Sequence, residues 1–320
     1  MSSIFDPLGI LQPVTTTVKI LFQDTWRIKS GKESIIGWDE RLPAAARERW
    51  DKWANELPLL NSLRIPRCLF KKSSHDPNAV YQLHIFSDAS TSAYGAIAYL
   101  RSTHGNNIEI AFLLSKARIA PLKLLTVPRL EMQAAVLAVR LANTIKSEMR
   151  INIGTTTFWI DSEIVLRWIN SVHCRYSDFV SHRISELLDK TSPRQWRFVP
   201  GEQNPADLCT RGILPKALDH RHQWISGPPF LLQTEEKWPT SIQLKDDGFE
   251  DVEFSKNKGF ISNINIVNVA DSSLTCLIKK HATLTELERA VAENQVKESD
   301  EPNRVIGVEE LEGALRTGGY

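Results

Sequence analysis

Along the first seventy residues, apolar positions recur at helical spacing. Val14, Val18, Leu21, Phe22 and Trp26 mark one stripe of "PVTTTVKILFQDTWRIK", and Ala46, Trp50, Trp53 and Leu57 repeat the period in "LPAAARERWDKWANEL". This helical segment, placed at 1–75, ends at a polar break, "SSHDPN". The pattern then reads as β. Residues 81–115 predict three strands, with turns near 90–93 and 102–107. A long helix rich in Ala and Leu is predicted over about 129–148, and "TTTFWI" is a short strand that ends at Asp161. "SEIVLRWINS" and "FVSHRISELLDK" read as helices, "QWRFVP" as a last strand, and "NPADLCTRGI" as the start of one more helix. The order βββαβααβα, with antiparallel strands before alternating elements, predicts an α/β class with a mixed sheet covered by helices over 80–235. Trp159, Trp168 and Trp196 sit inside these elements and are expected in the core. Residues 236–320 lose the pattern; "LKDDGFEDVEFSKNKG" and "AENQVKESDEPNRVIGVEELEG" are charged and poor in aromatics, and predict a linker and a disordered or poorly packed tail.

Charge sharpens that division. From residue 234 onward, 10 basic residues stand against 17 acidic ones, a net of −7, so the rest of the chain carries +8 of the total of +1. A basic body fits a polyanion partner, although such asymmetry is often only solvated surface. Cys68, Cys174, Cys209 and Cys276 are scattered without a Cys-x-x-Cys pair, which speaks against a zinc finger or a disulfide framework. "MSSIFDPLGILQPV" is not a signal peptide, and no apolar run is long enough to span a bilayer, so an intracellular protein (in a cytoplasmic particle or the nucleus) that is not secreted and has no membrane partner is expected.

Two of the predicted strands end in the same way, as "IFSDAS" and "FWIDSE". If these strands are parallel neighbours, about 4.8 Å apart, Asp88 and Asp161 stand side by side at the carboxyl ends of central strands, where open α/β sheets place their sites. Two carboxylates so close repel, and one protonates unless a cation keeps both ionised. A hard divalent ion, Mg²⁺ or Mn²⁺, suits an all-oxygen set. In "RLEMQAAVLAVR", Glu131 shares its helical face with Ala134, Ala135 and Ala138, small residues that let a helix approach the sheet. Asp207 in "PGEQNPADLCTR" is the fourth candidate. Four carboxylates can hold two metals for in-line phosphoryl displacement. Each has an ordinary reading too: Asp161 as an N-cap, Asp207 at the third position of a helix capped by Asn204, Glu131 as a solvated side chain, Asp88 as a turn residue.

The strings that carry this order, "FSDASTSAYGAIAYL", "VPRLEMQAAVLA", "FWIDSEIVLRWI" and "FVPGEQNPADLCTRG", resemble the ribonuclease H domain of retroelement polyproteins, with the closest likeness to the BEL/Pao class of long-terminal-repeat retrotransposons. Upstream, "IFDPLGILQPVTTTVKILFQDTWR" resembles the segment joining a reverse-transcriptase palm to ribonuclease H. The likeness covers residues 4 to about 235, nearly three quarters of the chain. It implies a ribonuclease H-like five-stranded mixed sheet flanked by helices, with Asp88, Glu131, Asp161 and Asp207 as ligands of two Mg²⁺ ions (Mn²⁺ a substitute). The implied activity is endonucleolytic cleavage of the RNA strand of an RNA–DNA hybrid. The implied partners are that hybrid and the reverse-transcriptase palm and integrase portions of a parent polyprotein. Three features depart from the family. The loop Gly201-Glu202-Gln203 lacks the histidine many ribonucleases H carry before the last aspartate; no Tyr-x-Asp-Asp lies upstream; and no His-His-Cys-Cys spacing occurs after residue 240. The chain therefore reads as a polyprotein fragment. A catalytically inert nucleic-acid-binding remnant is the second reading. An aspartic peptidase, an activity under which this region of Pao elements has also been catalogued, is the third, although Asp88-Ala89-Ser90 and Asp161-Ser162-Glu163 lack the glycine such loops need. Lys116, Arg118, Lys123 and Arg129, around the start of the long helix, could meet phosphate, or form an ordinary wet surface. His173, His182, His220 and His222 show no ligand spacing.

Overall fold

The computed structural model describes residues 4–27, 29–30, 34–35, 40–70, 78–105, 107–171, 176–220, 222–240 and 253; the chain divides into two compact units, Met1–Ser255 and Lys256–Tyr320. Of the expected linker and tail at 236–320, residues 241–252 and 254–320 lie outside the described residues. In chain order the elements are α1 (Gln12–Thr25), the short strands β1 (Lys29–Ser30) and β2 (Ser34–Ile35), α2 (Ala44–Glu56), β3 (Val80–Ala89), β4 (Ala93–His104), β5 (Asn107–Ile119), α3 (Val127–Glu148), β6 (Ile153–Ile160), α4 (Glu163–Asn170), α5 (Asp178–Leu188), β7 (Trp196–Phe198), α6 (Asp207–Arg211) and α7 (Gln223–Ser226). From β3 onward this is the predicted βββαβααβα, with short α7 added.

Five strands form one sheet in the order β5-β4-β3-β6-β7. The β3–β4 and β4–β5 pairs are antiparallel, while β3–β6 and β6–β7 are parallel. The two hairpins need only short turns, whereas each parallel pair needs a helical crossover, which α3 supplies before β6 and α4–α5 before β7.

Strand alternation sends side chains to two cores. On one face Leu83, Ile85, Ala96 and Ala98 pack with α3, α4 and α5. The alanines Ala135, Ala138 and Ala142 of α3 are buried there, so the long helix lies close on the sheet. On the other face Phe86, Ile97, Tyr99 and Trp159 pack with Val14 and Val18 of α1, Trp53 of α2, Cys209 of α6, and Trp224, Phe230 and Trp238. The helical segment placed at 1–75 is built into the same core: the Trp53 indole N–H donates to the Val14 carbonyl, and Thr17 Oγ1 donates to the Ile213 carbonyl. The packed body likewise runs past the boundary expected at 235, because Trp238 is buried and Glu253 is anchored to the body. Trp159, Trp168 and Trp196 are buried, as the sequence indicates. Phe22, Trp26 and Trp50 are not: the helices form where expected, but these side chains face outward.

Gly95 has a specific steric role. A Cβ there would lie 2.5 Å from Cys209 Cβ, so only glycine lets α6 seat on β4. Among the described residues, no helix is long and apolar enough to cross a membrane.

Candidate active site

The parallel pairing of β3 with β6 sets the site. Ser87 is opposite Ile160, so the next residues, Asp88 and Asp161, emerge on neighbouring backbones about 4.8 Å apart. Asp88 is the ninth residue of β3 and buried, not a turn residue. Asp161 comes directly after the last residue of β6. It is not the N-cap of α4: Ser162 is, its Oγ accepting the Val165 N–H. Glu131 projects from the second turn of α3 and is half-buried rather than solvated. Asp207 begins α6; Asn204 caps the turn before it, with its Oδ1 accepting the Ala206 N–H, so Asp207 lies at the first helical position rather than the third.

Each carboxylate has a dedicated neighbour. Thr210, one turn along α6 from Asp207, donates its hydroxyl to Asp88 Oδ2 at 2.5 Å. Ser162 donates to Glu131 Oε2 at 2.5 Å, tying α3 to the end of β6. Arg211 Nε donates to Asp207 Oδ1 at 2.5 Å. Asn204 Nδ2 donates to the Ser87 carbonyl at 3.0 Å and its Oδ1 accepts the Ala206 N–H, so one amide joins β3 to the turn before α6, and it also lowers Asp161 against burial. Ser162, Asn204 and Thr210 as positioning groups escape the sequence reading, which weighs Asn204 only as a cap. The available signal is their nearness in sequence to Asp161 and Asp207.

The electrostatics bind these residues into one group. Burial pushes Asp161 up from 3.8 to about 7, with the charges of Asp88 and Glu131 adding to it. Burial also raises Asp88, against the Thr210 bond, with Asp207 adding repulsion; and burial raises Glu131, against the Ser162 bond, with Asp88 adding repulsion. Asp161 Oδ1 is buried and has no hydrogen-bond partner.

Among the described residues, no three or more His, Cys, Asp or Glu side chains are gathered closely enough to hold a metal ion as they stand. The donor set nevertheless suits a hard cation: it is all carboxylate oxygen, it is repulsive when ionised, and one oxygen is orphaned. The Arg211–Asp207 contact is weak, because Arg211 is 74 % exposed and exposed pairs contribute about 0.2–1 kcal/mol.

The other sequence candidates fall elsewhere. Lys116, Arg118 and Lys123 are exposed, and Arg129 is paired with Glu253. His222 Nδ1 accepts the Trp224 N–H at the start of α7, and His173 lies outside the described residues.

A search of curated proteins returns no match. Solved structures with some likeness include the N-terminal RNase H domain of a Mycobacterium tuberculosis protein, solved as a fusion with maltose-binding protein (13 % identity, 40 % of this chain and 90 % of that one, TM-score 0.30). Others are LC11-RNase H1 in complex with RNA/DNA hybrid (15 %, 43 % and 99 %, 0.30) and RNase H1 from Halobacterium salinarum (11 %, 39 % and 89 %, 0.28). The fold itself stands on its strand order: counted from β3, the sheet runs 3-2-1-4-5 with the second strand antiparallel, the ribonuclease H arrangement. A family model described as Pao retrotransposon-like RNaseH-like domain matches residues 1–162, a span that takes in the N-terminal helices, Asp88, Glu131 and Asp161 and stops before Asp207. The chain belongs to the Pao retrotransposon-like RNaseH-like domain family.

Proposed function

We propose that this chain is a metal-dependent endonuclease that cuts the RNA strand of RNA–DNA hybrids, with Asp88, Glu131, Asp161 and Asp207 as the carboxylates that hold two Mg²⁺ ions. The observation that carries the reading is the parallel pairing whose last pair, Ser87 and Ile160, leads into Asp88 and Asp161, with a buried, unpartnered Asp161 oxygen. When bound, such ions supply Lewis-acid activation and neutralise charge at the phosphodiester. The protein's own residues do the positioning. Thr210 fixes the Asp88 carboxylate, Ser162 fixes that of Glu131, and Asn204 ties the turn before α6 to β3 at Ser87, beside Asp88. Hydroxyl donors of this kind usually tune ligand affinity or activity by about 10- to 100-fold. The RNA strand is distinguished by its 2′-hydroxyl. By the family resemblance, the reverse-transcriptase palm and integrase portions of a retrotransposon polyprotein are the protein partners.

The experiment is a cleavage assay on a labelled RNA–DNA hybrid with Mg²⁺, with Mn²⁺ and with chelator, in wild type and Asp161→Asn. Metal-dependent cleavage of the RNA strand by wild type alone is the expected result. A second reading, hybrid binding without cleavage, draws on the separated carboxylates and the Arg211–Asp207 contact. Binding with no cleavage in either metal would select it.

A further inference from the structure

The strand β6 has eight residues and its neighbour β7 only three. β7 therefore covers residues 158–160 and leaves 153–157 with no strand on that side among the described residues. A notch of about 820 Å³ opens there, across the sheet edge, between the end of α3, α4 and Trp238. Its floor is backbone. Gly154 and Thr155 are exposed, and Gly154 is a bulge, set between the residues that pair with Tyr81 and Gln82 of β3. A bulged residue is left out of the ladder, so its N–H and C=O are open to another partner. Next to it, Gln195 Nε2 donates to the Thr156 carbonyl at 3.2 Å, where the backbone N–H of a neighbouring strand would stand. Gln195 Oε1 accepts the Ser192 N–H at 2.9 Å, so the turn before β7 holds that amide in place.

The walls are basic. Among the lining residues, Lys146, Arg194 and Arg197 face one carboxylate, Glu235, for a net of +2. Arg197 and Glu235 pair with each other at 2.7 Å, whereas Lys146 and Arg194 have no ion pair or hydrogen bond among the described residues. Partial burial lowers Lys146 from its ordinary value, and no carboxylate offsets it. The two indoles of the notch, Trp196 and Trp238, are buried, so neither offers a face on which a base could stack. Bare strand backbone between unpaired cations suits an extended acidic peptide better than nucleic acid.

We propose that this notch is a docking site for an extended acidic segment of a partner protein. The segment adds to the β6 edge as a short strand, continuing the row that β7 and the Gln195 amide begin, and sets its carboxylates against Lys146 and Arg194. The site is independent of the nuclease reading. Thr155 lies six residues before Asp161, about 20 Å along the strand, so a docked segment leaves the carboxylate cluster clear.

The test is fluorescence anisotropy with the full chain and a labelled peptide of about eight residues alternating Glu and Val, a length suited to one strand. Its backbone-N-methylated twin has the same charge but cannot donate to a strand edge. The plain peptide should bind saturably, and the twin about tenfold more weakly, as two lost hydrogen bonds imply. Lys146→Gln and Arg194→Gln change exposed side chains, and melting curves show that each variant is folded. Each should weaken binding about two- to fivefold, and the double variant by about the product. Equal binding of the two peptides overturns strand addition in favour of charge attraction alone. Binding untouched by the double variant overturns the site. A single-stranded oligonucleotide of equal charge that displaces the peptide, with the same loss in the double variant, overturns it in favour of nucleic acid. No saturable binding up to about 1 mM also overturns it; the occupant is then a second copy if the double variant loses self-association, or an acidic stretch of this chain if it loses Tm.

Discussion

Replacing Asp161 by Asn should stabilise the metal-free protein at alkaline pH and remove most of its response to Mg²⁺. Asp161 titrates near 7 in the folded chain against 3.8 as an ordinary carboxyl, because it is buried beside the charges of Asp88 and Glu131. The folded-state value is the raised one, so the stability this group contributes is complete below pH 3.8 and is lost as pH rises through 7. Each tenfold in proton affinity is worth about 1.4 kcal/mol, so the strain above pH 7 is about 4 kcal/mol at most, and roughly 2–4 kcal/mol once solvent reaching the half-buried side chain is counted. Asn keeps the shape without the charge. In a body of this size 1 kcal/mol moves Tm by about 2–4 °C, so the variant should melt roughly 5–12 °C above wild type at pH 8 in chelator, with the gap closing toward pH 4. Mg²⁺ should raise the wild-type Tm at pH 8 and scarcely move that of the variant. The assay is calorimetry from pH 4 to 8.5, with and without Mg²⁺. Parallel Tm–pH curves for the two proteins would refute the argument that Asp161 sits in a repulsive carboxylate cluster.

A buried histidine of β3 and the Thr210 hydroxyl carry further expected outcomes. Burial, with the charges of Arg101 and Arg197 adding, lowers His84 from 6.5 to about 3; the unfolded chain therefore takes up a proton first, and stability should fall by about 3–5 kcal/mol as pH drops from 6.5 toward 3, a slope that His84→Phe should flatten in urea titrations. Thr210→Val removes the hydroxyl that holds Asp88 and keeps the shape; hybrid cleavage should fall about 10- to 100-fold with a higher Mg²⁺ requirement, and Thr210→Ser should restore it.

The sheet was legible because its strands are buried on both faces or alternate cleanly, and because their apolar runs stop on aspartate. Asp88 and Asp161 stand out as charges at the ends of two such runs, and their adjacency needs only that the two strands be parallel neighbours, which the register provides. Helical period misled at Phe22 and Trp26. At ~100° per residue they lie about 80° and 120° round α1 from Val14, off the stripe that Val14, Val18 and Leu21 press onto the sheet. A spacing rule that accepts any apolar residue at i+4 cannot separate the centre of a stripe from its margin. Thr210, Ser162 and Asn204 were illegible for a different reason: a single hydroxyl or amide, in a short helix or a loop, carries no apolar periodicity, and the partners of Thr210 and Asn204 lie 122 and 117 positions away along the chain.

Glu253 shows where compositional reasoning stops. A charged run poor in aromatics cannot bury enough apolar surface to order itself, and that is a statement about the run's average. One carboxylate within it needs no apolar core of its own if a preformed donor set offers a fork, a hydroxyl and a backbone N–H together. Arg129 was a candidate for phosphate because it stands at the start of α3 beside Glu131. The same basic placement that suits a phosphate also suits an internal carboxylate, and the second is always at hand because it is covalently attached. A basic body joined to an acidic segment therefore has two electrostatic outcomes, a nucleic-acid partner or its own side chain, and at Arg129 its own side chain holds the guanidinium.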